Sequence, residues 1–270
     1  MENPILIIGG KGKTGSRVAD RLQAKGKEIR FASRTSGFDW TDRTTWSAAL
    51  EGVSAAYITY YPDLAVKTAP DDVEALVKLA LSLGVKRLVL LSGRGEPAAQ
   101  EAERRLMASG ADWTIVRASW FNQNFDEGQL LPMILEGHMA LPVSSVREPF
   151  IDADDIADVV TAALTDPRHI GALYEVTGPR LLTFEEVIAE INRASGRQVV
   201  FQTVADEDFV QGLTEAGLPG DLIELLSELF LVVLDGRNEY LADGVERALG
   251  RKPKDFADYA KDAAARGAWT

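Results

Sequence analysis

The residues best suited to do chemistry lie near the start of the chain, in Gly9-Gly10-Lys11-Gly12-Lys13-Thr14-Gly15. Glycine recurs there at a spacing of three and three. Glycines so placed allow a tight turn, a close approach of backbone to an anion, and tight packing of helix on strand, while the helix N-terminus offers N–H groups to a phosphate. The turn follows the apolar run Ile5–Ile8 and opens a segment in which Val18, Ala19 and Leu22 share one helical face. That strand, turn and helix order is the context a dinucleotide pyrophosphate requires. Gly12-Lys13-Thr14 also resembles the end of a triphosphate-binding loop, but the glycine needed five positions before Gly12 is Ile7 here. Lys11 and Lys13 would put positive charge beside the phosphates, or are solvated loop lysines. After the second apolar run, Ile29–Ala32, the chain reads Ser33-Arg34 where an NAD site usually places an acid. An arginine there can pair with a 2′-phosphate in a bidentate, charge-assisted contact, which favours NADP(H); a plain surface arginine is the alternative.

These residues need a scaffold, and the apolar pattern supplies one. Strand-length runs (Ile29–Ala32, Ala55–Thr59, Arg87–Leu91, Trp113–Val116) alternate with helix-period segments (Thr44–Leu50, Val73–Leu83, and one opened by Pro97). This predicts an α/β fold of the Rossmann type, a doubly wound parallel sheet with a smaller C-terminal α/β lobe. Residues 1–150 are expected to form the NADP(H)-binding core and 151–270 mainly the substrate lobe, with some segments returning to the core. In that second part Asp155–Leu164 and Phe184–Ala194 read as helices, Leu173–Val176 and Val199–Val204 as strands, and Phe209–Leu249 as mostly helical.

Composition narrows the chemistry. The 270 residues are 46% hydrophobic and 26% charged, which fits a globular chain with a sizeable core. There is no cysteine, which removes disulfides, thiolate zinc sites and thiol nucleophiles. Neither His138 nor His169 has a second histidine at helical ligand spacing, and Asp154 and Asp155 fit the start of a helix better than a metal site with Asp152, so no metal is assigned. A net charge of −12 disfavours nucleic acid and anionic membranes. The opening Met1-Glu2-Asn3-Pro4 lacks the basic region of a secretory leader, and Leu222–Leu234 is interrupted by Glu224, Ser227 and Glu228. The expectation is a cytoplasmic monomer or homodimer without a membrane span.

Further motifs carry a family resemblance. The glycine turn, Ala32-Ser33-Arg34, Phe38-Asp39-Trp40-Thr41-Asp42, and the run from Ser109-Gly110 through Trp113 to Arg117 resemble the NmrA-like family of atypical short-chain dehydrogenases. So do Trp120 to Phe125, Pro149 to Ala157, Leu249 to Pro253, and Phe256. The resemblance spans nearly the whole chain and is especially close to the ergot-alkaloid reductase branch, with quinone and triphenylmethane reductases as broader relatives. It implies NADPH as cofactor, with Gly9, Lys11, Gly12, Lys13, Thr14 and Gly15 around the pyrophosphate. By the same resemblance Ser33 and Arg34 lie near the 2′-phosphate, Asp39 and Trp40 near adenine, and Thr59, Tyr60, Tyr61 and Ser92 near the nicotinamide ribose.

The usual short-chain dehydrogenase acid is a tyrosine activated by a lysine four positions later. None of the tyrosines has that lysine, and no lysine occurs between Lys86 and Lys252. Tyr60 and Tyr61 are the catalytic candidates that remain, with edge packing as their alternative role. One reading is therefore a reductase that transfers hydride to a small, planar, conjugated electrophile of quinone or iminium type, with no tyrosine–lysine acid. Water can protonate a reduced quinone, and a reduced iminium is a neutral amine. The other is a non-catalytic NADP(H)-binding sensor or regulatory protein, since the family also contains regulators, and fold alone does not choose. Trp120, Phe121 and Phe125, with Tyr60 and Tyr61 opposite, would wall a planar substrate and Asn122 or Asn124 would orient it; an aromatic cluster after a strand is equally what a core needs.

Overall fold

The computed structural model describes residues 3–270; Met1 and Glu2, which open the segment read for a leader, lie outside the described residues. In chain order the strands are β1 (Ile5–Ile8), β2 (Ile29–Ala32), β3 (Ala55–Ile58), β4 (Arg87–Gly93), β5 (Asp112–Ala118), β6 (His138–Leu141), β7 (Ala172–Val176) and β8 (Val200–Thr203). The helices are α1 (Lys13–Ala24), α2 (Trp46–Leu50), α3 (Ala69–Ser82), α4 (Pro97–Met107), α5 (Leu131–Glu136), α6 (Ala153–Thr165), α7 (Phe184–Ser195), α8 (Asp206–Glu215), α9 (Gly220–Ser227), α10 (Gly244–Leu249) and α11 (Phe256–Ala265). No described helix is long and apolar enough to cross a membrane.

The chain divides into two compact units. The first comprises Met1–Ala118, Ala153–Val176 and Asp243–Arg251, and the second Ser119–Asp152, Thr177–Ala242 and Lys252–Thr270. Residues 119–150, expected with the first part, thus belong to the second, while α6, β7 and α10 return to the first. Two features tie these returning pieces down. Helix α6 packs on α1, and a side chain at Gly244 would strike the Glu175 backbone, so α10 lies directly on β7.

The first unit is a Rossmann-type parallel sheet of six strands in the order β2-β1-β3-β4-β5-β7. β1 and β3 are buried along their whole length, which suits strands covered on both faces. Leu6, Ile8, Ala56, Ile58, Leu88 and Leu90 point to the layer of α2, α3 and α4. The alternate residues face α1 and α6, so one period-2 pattern serves both layers. Because all six strands are parallel, their carboxyl ends share one edge. The chain leaves β1 for β2 on one side and places β3 on the other, and this switch in strand order opens a crevice between the ends of β1 and β3.

The second unit holds the parallel pair β6–β8 and the helices α5, α7, α8, α9 and α11 around an aromatic core of Phe125, Phe150, Phe184, Phe256 and Tyr259. A capping box between Thr183 and Glu186 starts α7. The helical stretch expected over Phe209–Leu249 is broken: α8 and α9 are followed by a π-helical turn at Glu228–Val233, and 234–243 is irregular.

Candidate functional site

The glycine turn follows β1 at the crevice. Gly9 has φ of 74°, a conformation that favours glycine, and its N–H donates to the Ala32 carbonyl at 2.9 Å. The Gly12 N–H donates to the Gly9 carbonyl at 2.8 Å, closing the turn. Gly15 lies so close to the turn that a Cβ there would collide with the Gly9 carbonyl oxygen, and a Cβ on Gly10 would collide with the Phe31 ring. Helix α1 begins at Lys13, earlier than its apolar face indicates, and has no side-chain cap on its first N–H groups. Uncapped amides behind a glycine turn are what an anion needs. The Thr14 side chain turns inward and accepts from the buried Tyr57 hydroxyl at 2.9 Å, so Thr14 can serve a phosphate through its backbone. Burial pushes the Tyr57 phenol above its ordinary range. Lys11 is exposed and Lys13 half-buried.

Thr59, just after β3, closes the other side of the crevice. Its hydroxyl donates to the Ile8 carbonyl at 2.9 Å, and a side chain at Gly9 would run into it. The Thr59 carbonyl accepts from Trp40 Nε1 at 3.1 Å. Trp40 is buried, packed edge-on against Phe38 and Trp46 and 4.7 Å from the Tyr60 ring, so it supports the crevice from within the core. The Tyr60 hydroxyl donates to Asp72 Oδ2 at 2.7 Å. Burial pushes this phenol up to about 12, with the Asp72 carboxylate adding to the effect. A phenol so held is a poor proton donor.

At the end of β2, Ser33 starts a short 3-10 turn, Arg34–Ser36, whose capping box pairs Ser33 with Ser36. Arg34 is exposed, and its guanidinium lies over the Tyr61 ring at 4.8 Å. Tyr61, expected on the substrate side, is thus brought to Arg34. The Asp39 carboxylate accepts from the Thr41 N–H and hydroxyl, which holds it below its ordinary range, and the Arg34 charge acts in the same direction.

A charged network that sequence reasoning missed spans the carboxyl ends of β4, β5 and β7. The Ser92 hydroxyl donates to Glu103 Oε1 at 2.6 Å, and Arg117 donates through Nε to the same oxygen at 2.9 Å and through a second nitrogen to Oε2. Glu175 accepts from Arg94 Nε at 2.7 Å and lies 3.4 Å from Arg117. Glu103 is 1% exposed and Arg94 3%. A hydroxyl that donates to a carboxylate offers only lone pairs elsewhere, so Ser92 presents an acceptor. The sequence signal was a glutamate on the buried stripe of α4 with Ala99, Ala102 and Leu106, four positions after Ala99 and three before Leu106, where an apolar residue belongs.

In the second unit, Phe121 pairs with Ile151 in an isolated bridge, and a 3-10 turn follows at Asn122–Asn124. Trp120 is half-buried against Phe184 and Phe230, Phe121 and Asn124 are half-buried, and Phe125 is fully buried among Phe150, Phe184 and Phe256. Phe125, expected in a pocket wall, supplies core. The acids of 152–155 are divided. Asp152 accepts from Gln123 at 3.0 Å, Asp154 pairs with Arg21 at 2.9 Å, and Asp155 pairs with Arg251 at 2.5 Å.

A six-stranded parallel sheet, a glycine turn at its switch point and an arginine after β2 define a Rossmann-type fold of the short-chain dehydrogenase kind. The chain belongs to the NmrA-like family, whose profile matches residues 1–260. It is 32% identical to the NAD(P)H azoreductase of Xenophilus azovorans over 98% of this chain and 99% of that one. Identity to the agroclavine dehydrogenase of Claviceps fusiformis is 30%, over 96% of each chain. Its fold matches that of the Citrobacter sp. triphenylmethane reductase complexed with NADP(H), with a TM-score of 0.77 at 18% identity over 97% of this chain and 99% of the other.

Proposed function

We propose that this chain, an oxidoreductase of the NmrA-like family and of the atypical short-chain dehydrogenase class, transfers hydride from NADPH to a small, planar, conjugated electrophile of quinone or iminium type. The observation that carries this reading is the state of the hydroxyls along the carboxyl edge of the sheet. The dinucleotide turn is complete, yet Tyr57 donates to Thr14, Thr59 to the Ile8 carbonyl, Tyr60 to Asp72 and Ser92 to Glu103. None of these is placed as a proton donor to a substrate oxyanion. Acceptors that need no protein acid suit such an edge.

The residues fit the cofactor. Gly9, Gly12 and Gly15 keep the turn tight, and the backbone N–H groups at the start of α1 with the Lys11 and Lys13 charges take the pyrophosphate. Ser33 and Arg34 take the 2′-phosphate, and Asp39 lies on the adenosine side. Thr59 and Ser92 take the nicotinamide ribose, Ser92 as an acceptor. When bound, NADPH supplies the hydride. The first unit's part is to hold reactants in register, a contribution that reaches about 7–11 kcal/mol in well-oriented systems. In the second unit, Trp120 and Phe121 offer aromatic faces to a planar acceptor and Asn124 a polar contact.

The relatives' names are those of a reductase and a dehydrogenase, which supports an enzyme over a nucleotide sensor. The test follows NADPH absorbance with a quinone, a triphenylmethane dye and a cyclic iminium as acceptors. Turnover of at least one supports the reading; tight NADPH binding with no turnover across the panel overturns it.

A further inference from the structure

Resting on the NADPH reading, we propose that Tyr61 is a specificity-determining residue that positions Arg34 for the 2′-phosphate. The guanidinium sits 4.8 Å from the centre of the Tyr61 ring. Arg34 is one residue beyond the β2 loop start at Ser33, and Tyr61 follows β3, so the contact bridges two strand ends on either side of β1. A ring face holds a guanidinium by its flat side and leaves the in-plane N–H donors directed outward. Those donors are the ones that grip a phosphate in a bidentate contact. A carboxylate partner would have consumed them, and the nearby Asp39 acts on Arg34 only through space while its own oxygen accepts from Thr41.

Tyr61 itself is 61% exposed, so its ring is open to solvent and to a ligand as well as to Arg34. Its neighbour Tyr60 spends its ring on Trp40 and its hydroxyl on Asp72, whereas the Tyr61 ring is spent on Arg34. Stacking also restricts the rotamers of a long, exposed arginine before any ligand arrives, so less entropy is lost when the phosphate binds. A guanidinium held over the Tyr61 ring face keeps its edge for a phosphate, so the two contacts are compatible.

The test measures binding alone. Adenosine 2′,5′-bisphosphate and adenosine 5′-monophosphate are titrated calorimetrically into the parent protein and into Arg34→Ala, Tyr61→Leu and Tyr61→Phe. Loss of an exposed cation–π contact corresponds to a two- to five-fold weakening, about the range expected for the bisphosphate with Tyr61→Leu. Affinity for the monophosphate should not change, and Tyr61→Phe, which keeps the ring face, should match the parent. If Arg34→Ala loses the preference for the bisphosphate but Tyr61→Leu keeps it, the role of Tyr61 is overturned while the NADPH reading stands. Equal weakening of both nucleotides by Tyr61→Leu also overturns it, because Tyr61 would then touch the shared adenosine. No effect of Arg34→Ala on either ligand overturns the NADPH reading itself.

Discussion

Replacing Gly15 by alanine tests the turn most sharply. Gly15 stands in the first turn of α1, where alanine would ordinarily stabilise the helix by about 0.8–1 kcal/mol. Its Cβ would lie 2.9 Å from Gly10 Cα and would overlap the Gly9 carbonyl oxygen. Carbon atoms normally rest about 3.5–4.0 Å apart. Both obstacles are backbone, pinned by the hydrogen bonds of Gly9 to Ala32 and of Gly12 to Gly9, so neither can swing aside as a side chain would. Overpacking of this kind costs about 1–3 kcal/mol, which leaves a net destabilisation of up to about 2 kcal/mol after the helix gain. The displaced turn should also lose at least one charge-assisted hydrogen bond to the pyrophosphate, about 1.5 kcal/mol or roughly ten-fold in Kd. Gly212→Ala, inside α8, provides the contrast. No atom lies within 4 Å of its Cβ position and its φ is not positive, so it should stabilise by about 0.4–1 kcal/mol. Urea unfolding and an NADPH titration measure both quantities for each variant. A Gly15→Ala protein as stable as the parent, with unchanged NADPH affinity, refutes the close contact between α1 and the turn.

Two further outcomes follow from the same edge of the sheet. Glu103→Gln leaves the half-buried Arg117 guanidinium facing a neutral amide, with Glu175 as its remaining carboxylate, so unfolding free energy should fall by about 1–3 kcal/mol; a urea midpoint equal to the parent's contradicts the Ser92–Glu103–Arg117 geometry. Tyr60→Phe should leave kcat within about two-fold, because the Tyr60 hydroxyl is tied to Asp72 and stays protonated until about pH 12. A phenol raised in the folded state contributes stability that is intact below its ordinary value near 10 and is lost as pH rises through the folded value. A large fall in kcat in Tyr60→Phe assigns that hydroxyl to the chemistry.

The fold was largely legible because its signals are local. Ile5–Ile8, the glycine turn and the Val18, Ala19, Leu22 stripe announce β1, the crevice and α1 within a single window, and β1 and β3 read as wholly apolar runs because both faces are covered. Pairings that depend on distance were not legible. Nothing in Leu173–Val176 says that this run is the sixth strand of the main sheet rather than part of the second unit. β6 is a four-residue strand beginning with a histidine, too short for a periodic pattern.

In the site, spacing located the turn and Arg34 but not the direction of side chains. Phe125 was expected in a substrate wall and Trp40 near adenine, and both are buried in the core, while Tyr61, expected as a substrate contact, has the Arg34 guanidinium over its ring. Glu175 lies far along the chain from Arg94 and Arg117, and the parallel register of β4, β5 and β7 brings these three together, while Glu103 reaches Arg117 from α4.

The most direct measurement of the central claim uses NADPH carrying deuterium at both hydrogens of nicotinamide C4, mixed with excess enzyme and a cyclic iminium acceptor, with the amine product examined by mass spectrometry. Hydride transfer without a protein acid predicts one deuterium in the carbon skeleton of the product for each NADPH consumed, in the parent and in Tyr60→Phe alike. Product without deuterium, or NADPH that stays bound and intact beside the iminium, a quinone and a triphenylmethane dye, contradicts it.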